Sequence, residues 1–325
     1  MPRFLALLLI VLIVWLAWAT LTPVTPATPQ VLLFPAGSSS RTMAASLEKS
    51  GIIRSRFSFE LLHALLPKKK LKAGEYNFTK SASAYDVFLR IARGDVMLHT
   101  VVVPEGYNIF EIADAVQAAG LGTHEDFLKV AQHDVALVKN IDPQAQSLEG
   151  YLFPDTYEFS RPITMHDIAA RMVRRFQHEA QQAGLAGDVH RTVTLASIVE
   201  KETAAPDERA EVAGVYANRL AKNMALAADP TVVYAAMLRG NYRGAIYQSD
   251  LQSDSPYNTY RKPGLPPGPI ANPGAAALQA AMNPAKHNYL FFVAAGDGSG
   301  HHRFSATFEQ HEKNVVAYRK AVKDR

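Results

Sequence analysis

The sequence predicts an α+β protein behind an N-terminal membrane helix, and three observations carry that prediction. Residues Phe4 to Leu21 are almost continuously apolar. A strand, a Pro-x-Gly turn and a helical pattern then occur twice before residue 122. From Leu148 onward, longer helical periodicities alternate with Pro/Gly-rich loops. The 325 residues suffice for two or three packed units beyond the first segment. A composition of 48% hydrophobic and 20% charged residues is that of an ordinary globular chain.

The first element has nearly the minimum length for a helix that spans a bilayer. Arg3 precedes it, which predicts a cytoplasmic N-terminus with everything after residue 22 outside. A competing reading is a cleaved signal peptide, because Ala17-Trp18-Ala19 has an A-x-A-like form. Trp15 and Trp18 suit an interfacial belt better than a cleavage region, which favours a retained anchor over residues 1–22. Both readings export the chain. The absence of cysteine excludes a disulfide framework, a thiol nucleophile and a thiolate metal site. A net charge of +4 and a pI near 9.1 suit an acidic polymer or an anionic membrane surface. Basic residues do not alternate with aromatics in any long stripe, so no nucleic-acid partner is expected.

Residues 23–30, rich in Pro and Thr, read as a short, stiff, extended linker off the membrane. The repeat follows. Leu33-Phe34-Pro35-Ala36-Gly37 leads into a helical pattern ending at Ser50-Gly51-Ile52. Val102-Val103-Pro104-Glu105-Gly106 leads into another, ending at Ala119-Gly120-Leu121. In each copy the second glycine closes the helix C-terminus. The copies define modules over 31–100 and 101–147, with Phe57 and Phe127 expected to pack beneath them. Lys68-Lys69-Lys70 reads as a solvated turn.

Residues 148–325 form the last predicted domain, a mixed α+β one. Thr164 and Asp167 resemble a capping arrangement for a helix through Ile168, Met172, Val173 and Phe176 that ends at Gly184. The next helix starts after Gly187-Asp188 and cannot pass Pro206. Asp229-Pro230 reads as a cap and a first-position proline, opening a helix to about Arg239. Leu290–Val293 and His302–Phe304 flank Gly296–Gly300 as a hairpin, and a final helix carries Phe308, Val315 and Tyr318.

The chemistry concentrates in Leu195-Ala196-Ser197-Ile198-Val199-Glu200-Lys201-Glu202-Thr203. With Leu195 at zero on a helical wheel, Val199 falls near ~40°, Ile198 near ~300° and Glu202 near ~340°. Glu202 therefore shares the apolar face, whereas Glu200, near ~140°, lies toward its edge. A carboxyl on an apolar face is costly to ionise, so its pKa rises toward the value a general acid needs. The alternative is that Glu202 caps a helix or pairs with an Arg or Lys. Other motifs carry less. Ser46-Leu47-Glu48-Lys49 matches S-x-x-K, but no K-T-G follows. His301-His302 lacks a zinc motif or matching carboxylates, and Gly296–Gly300 lacks the Lys-Ser/Thr of a phosphate loop. No metal and no cofactor are expected.

Several long segments surround this helix. They are Leu148-Glu149-Gly150-Tyr151-Leu152-Phe153-Pro154-Asp155-Thr156-Tyr157, Asp229-Pro230-Thr231-Val232-Val233-Tyr234, Ser255-Pro256-Tyr257-Asn258-Thr259-Tyr260 and Gly264–Gly274. In this order and spacing they resemble the YceG-like family, the endolytic murein transglycosylases of MltG type, over nearly the whole chain. The resemblance implies a single-pass inner-membrane protein whose catalytic domain faces the periplasm. It implies that one glutamate protonates a β-1,4 glycosidic oxygen between MurNAc and GlcNAc, then deprotonates the C6 hydroxyl that closes a 1,6-anhydro ring. Glu202, followed by Thr203, resembles the Glu-Ser pair of other lytic transglycosylases, and Glu200 is the runner-up. Expected substrate-binding residues are Glu200, Glu149, Tyr151, Asp229, Thr231, Tyr257, Asn258, Thr259 and Tyr260. The Pro/Gly segment from Gly264 to Gly274 is a candidate groove wall. The repeat looks like the LysM-like unit that binds glycan, against the alternative of a scaffold without ligand. Expected partners are nascent peptidoglycan strands, the membrane and peptidoglycan synthases, with a role in terminating glycan polymerisation. A non-catalytic glycan-binding or assembly protein, and a wall amidase, remain as other function classes.

Overall fold

The computed structural model describes residues 2–323. Met1, Asp324 and Arg325 lie outside the described residues, as does the side chain of Arg3, on which the predicted membrane orientation rests. The fold is a mixed α+β one with an N-terminal apolar helix. It divides into two compact units: Met1–Thr100 with Glu158–Thr164, and Val101–Tyr157 with Met165 onward.

The first unit begins with α1 (Pro2–Leu21), whose Phe4–Leu21 stretch is long and apolar enough to cross a bilayer. Then come β1 (Gln30–Phe34), α2 (Ser40–Lys49), α3 (Arg56–Leu65), β2 (Gly74–Phe78), α4 (Ala84–Arg93) and β3 (His99–Val102). Strands β1 and β2 pair antiparallel, from Gln30 opposite Phe78 to Phe34 opposite Gly74. Their inner face meets the helices over a core of Phe34, Leu47, Phe59, Tyr76, Phe88 and Ile91. Helices α2, α3 and α4 each start where a serine supplies the missing acceptor. Ser39 accepts from Thr42 N–H, Ser55 from Phe57 N–H, and Ser83 forms a reciprocal capping box with Asp86.

The expected repeat is present, with a second helix in each copy. Gly37 and Gly106 form the turns at φ of 84° and 79°, and Gly51 and Gly120 close the helices at 66° and 73°. These left-handed values are why glycine recurs at equal spacing. Phe127 is fully buried, but Phe57 is 59% exposed and Phe59 takes its expected place in the core. The cap sets the inward phase: Phe59 lies four residues after Ser55, as Phe127 lies four after Thr123.

The Pro/Thr segment after α1 does not run free. Val24 and Ala82 exchange backbone hydrogen bonds of 2.9 and 3.1 Å. Arg54 donates to the Thr22 hydroxyl and to the Pro23 carbonyl, both at 3.1 Å, and its guanidinium lies 4.5 Å from the Trp18 ring centroid. Where composition predicts an extended linker, backbone pairing holds the segment against the first unit.

The second unit contains α5 (Ile109–Ala118), α6 (His124–His133), β4 (Thr156–Phe159), α7 (Met165–Gln182), α8 (Val189–Glu202) and α9 (Arg209–Ala221). It continues with α10 (Asp229–Leu238), α11 (Gln248–Leu251), α12 (Ala275–Met282), β5 (Phe291–Ala294), β6 (His302–Ser305) and α13 (Phe308–Lys323). Strand β3 pairs with β4, and the boundary between the units runs through both strands. The central helix α8, buried from Val193 to Val199, packs against α9, α10 and α12. Asp188 caps it by accepting from Arg191 N–H, as its sequence predicts. The hairpin also forms as expected, with Phe291 opposite Ser305 and Ala294 opposite His302. One expectation changes. Ala228 is the N-cap of α10 and Asp229 lies in its first turn, because the Asp229 carboxylate is drawn away to the Tyr260 hydroxyl.

Candidate active site

Glu202 ends α8, where Thr203 turns the chain out to extended backbone. Its Oε1 accepts a 2.8 Å hydrogen bond from the Tyr216 hydroxyl on α9. The carboxyl opens into a cleft of about 490 Å³, also lined by Tyr216, Arg219, Ala227, Asp229, Tyr260, Phe291, Phe292, Phe308 and His311. Burial pushes the Glu202 pKa up to about 7, the Asp229 charge adds to the rise, and Tyr216 and Arg219 oppose it. Glu202 thus has a carboxyl that both holds and releases a proton near neutrality, the property required of a group that must act as acid and then as base.

The surroundings of Glu202 are fixed from several elements. Burial drives the Tyr216 phenol well above its ordinary pKa, so it remains a donor toward the carboxylate. Arg219 donates 2.6 Å hydrogen bonds to the Leu290 and Leu226 carbonyls and faces the Phe291 ring at 5.4 Å. Tyr260 donates to Asp229 Oδ1 at 2.6 Å. Ala227 has a φ of 47°, a left-handed conformation that costs an alanine roughly 1–2 kcal/mol. Thr259 holds it there, its carbonyl accepting from Ala227 N–H and its hydroxyl from Ala228 N–H. The Thr231 hydroxyl completes this clasp, 2.9 Å from that of Thr259. The two threonines, expected at the substrate, are buried and shape the cleft from behind.

Glu200 has different partners on the same helix. Its Oε1 accepts from Arg209 at 2.9 Å and its Oε2 from Gly274 N–H at 2.9 Å. Burial raises its pKa, while the Gly274 hydrogen bond and the Arg209 charge pull it down. Both carboxylate oxygens are engaged, and the pair pins α8 to α9 and to the start of α12.

Glu149 is fully enclosed, with Oε2 accepting from Ile109 N–H at 3.0 Å and Oε1 from the Asn272 amide at 2.8 Å. Burial raises its pKa to about 8. Asn272 also accepts from Leu152 N–H and donates to the Tyr107 carbonyl. Gly150 beside it has a φ of 89°, and a Cβ there would lie 2.5 Å from Pro269 and 2.8 Å from Val193, so only glycine fits. The Gly264–Gly274 segment is therefore a strap under α8, where Ser197 receives the Ile270 N–H and His190 meets the Pro267 carbonyl. Tyr151 is buried and donates to Asp142, which also meets His190. Burial opposes ionisation of Asp142, but the Tyr151 and His190 hydrogen bonds hold its pKa below the usual carboxylate range. Asn258 is buried and donates to the Leu251 and Ser253 carbonyls. Tyr257 is half-buried with its ring 5.2 Å from Tyr234.

Of the nine residues expected to bind substrate, Asp229 and Tyr260 line the Glu202 cleft. A second cavity of about 360 Å³ also reaches Asp229 and is lined by Asn108, Glu111, Lys201, Tyr234, Met237 and Tyr242. Tyr216, Arg219 and Phe292 were not singled out from the sequence. Tyr216 and Arg219 lie three apart on α9 and both line the cleft. His301 and His302 pair with Asp207 and Glu208, which ties the hairpin to the turn after Glu202.

Comparison with known proteins gives this geometry a lineage. The pattern of the YceG-like family matches residues 32–317, nearly the entire chain. The chain belongs to the YceG-like family. A relative from Bacillus subtilis (strain 168), named endolytic murein transglycosylase, is 32% identical over 87% of this chain and 83% of its own length. Another of that name, from Streptococcus pneumoniae serotype 2 (strain D39), is 30% identical over 87% of this chain and 57% of its own. A crystal structure of a YceG-like protein from Listeria monocytogenes is similar at 32% identity and a TM-score of 0.57, covering 88% of this chain and 98% of that one. This family member is therefore similar in sequence to proteins named endolytic murein transglycosylase and in fold to a YceG-like protein.

Proposed function

We propose that the chain is a membrane-anchored endolytic murein transglycosylase with Glu202 as its catalytic residue. The observation that carries this reading is the Glu202 carboxyl, held near a pKa of about 7 in an open cleft with aromatic walls. The protonated carboxyl delivers its proton to the β-1,4 glycosidic oxygen between MurNAc and GlcNAc, as positive charge builds on the muramic ring. The resulting carboxylate then takes the proton of the MurNAc C6 hydroxyl, whose oxygen bonds to C1 and closes the 1,6-anhydro ring. Water is not consumed, so a second, water-activating carboxylate is unnecessary. Asp229, engaged by Tyr260, raises the Glu202 pKa by its charge. Phe291, Phe292 and Tyr260 offer faces for the apolar side of a sugar, and Arg219 offers a cation beside the carboxylate.

Helix α1 holds the protein in the inner membrane with both units in the periplasm. There the enzyme meets nascent strands beside the synthases that make them, and cutting within a strand ends its growth. The strand–turn–helix copies serve as LysM-like glycan contacts. The test is a time course on long uncrosslinked strands, read by mass spectrometry. Fragments of several disaccharides, each short of one water at the new end, are expected from the earliest times. Products that have gained water would indicate a hydrolase, and single anhydro-disaccharides from the outset would indicate cutting from the ends.

A further inference from the structure

We propose that α3 is a membrane-interface helix, whose exposed apolar stripe lies in the outer lipid boundary beside α1. This rests on the reading of α1 as a membrane span. Phe57, Leu61 and Leu65 recur at i, i+4 and i+8 and are 59%, 40% and 67% exposed. On a helical wheel they cover one continuous arc of about 80°, opposite the buried arc of Phe59 and Leu62. A helix apolar on two faces buries one in its own unit and leaves the other requiring a nonaqueous neighbour.

Two independent observations identify that neighbour as lipid. The first is position. Arg54, two residues before α3, grips the end of α1 through Trp18, Thr22 and Pro23, and the Val24–Ala82 bridge holds the following segment against the same unit. Both α3 and α4 contact α1 directly. The stripe thus begins within one helical turn of a residue fixed to the end of the span. The second is charge. Arg54 and Arg56 stand before the stripe, and Lys68, Lys69, Lys70 and Lys72 follow it, all exposed in a cluster with Arg93. An apolar face flanked by cations at both ends matches an anionic phospholipid surface, with acyl chains below and phosphates above. The anchored unit would then be held against the membrane instead of swinging on a tether.

The absence of cysteine permits a direct test with single labels in the full-length protein. Leu61→Cys, Ile10→Cys and Lys320→Cys, each carrying an environment-sensitive fluorophore, would be reconstituted into phosphatidylethanolamine/phosphatidylglycerol vesicles with brominated acyl chains. The expected result is loss of fluorescence at positions 10 and 61 but not at 320, with Leu65→Cys behaving as Leu61→Cys does. Quenching at 10 with water-exposed labels at 61 and 65 would overturn the proposal while leaving the span intact, and would leave the stripe to a protein partner. Absence of quenching at 10 would reject the span itself and the interface helix with it.

Discussion

The Tyr216 hydroxyl donates to Glu202 Oε1 at 2.8 Å, from a phenol that burial keeps protonated. This hydrogen bond stabilises the charged carboxylate, against the larger effect of burial, which destabilises it. Tyr216→Phe should therefore raise the Glu202 pKa further. The alkaline limb of the pH–activity profile should move upward, with folding largely preserved. A downward shift would contradict this balance.

The wild-type profile follows from the same carboxyl. Its proton is present below a pH of about 7 and lost above it, so an acid-requiring first step should decline as pH rises through that region. Measurement of kcat/KM on defined glycan strands between about pH 3 and 9 gives the check. An alkaline limb near the ordinary glutamate value of 4.5 would mean that the carboxyl is not held as the structure indicates.

Stability should fall with rising pH in the same sense as activity. The folded-state pKa of Glu202 is raised, so protonation favours the fold below about pH 4.5 and that contribution is lost as pH rises through about 7. Glu202→Gln keeps an acceptor for Tyr216 and removes the titration. It should raise stability by on the order of 1–3 kcal/mol at pH 8 and change it little at pH 4. Thermal melts at the two pH values report the difference.

Much of this arrangement was legible in the sequence, where local rules sufficed. The glycines at 37, 51, 106 and 120 each sit where a left-handed residue is required, so the repeat could be read directly. Glu202 lay on the apolar face of a helix whose limits its cap and Pro206 defined. What was not legible came from distant parts of the chain. Glu200 and Glu202 differ in their surroundings through Arg209 and Gly274, partners that no helical wheel contains. Thr259 and Thr231 look like polar groove residues, but loop folding turns them onto the Ala227 backbone. The Pro/Thr segment has the composition of a spacer, yet Val24 finds a strand partner in Ala82.

Glu149 should matter for folding and not for chemistry. Glu149→Ala leaves the Asn272 amide and the Ile109 N–H without their buried acceptor, at a cost of about 2–4 kcal/mol. Glu149→Gln retains an acceptor and should lose less. Denaturant titration ranks the three proteins, and equal stability of wild type and Glu149→Ala would contradict the role of this node.

Chain truncation separates the two units. A protein beginning at Val101 keeps Tyr107 and Ile109, which bond to Asn272 of the strap and to Glu149. It should fold and retain cleavage of soluble glycan. One beginning near residue 145 loses those partners and should be unfolded or inactive. Circular dichroism and a digestion assay on both proteins test this, and an active shorter form would show that α5 and α6 are dispensable.

The central claim is that Glu202, and not Glu200, moves the proton. Mass spectrometry of glycan digests by wild type, Glu202→Gln and Glu200→Gln tests it most directly. The expected outcome is anhydro-ended fragments from wild type, none from a folded Glu202→Gln, and a reduced but measurable yield from Glu200→Gln, whose single amide oxygen keeps one of the two donors, Gly274 N–H or Arg209, and loses the other. Anhydro products that persist in Glu202→Gln and vanish in Glu200→Gln would contradict the account.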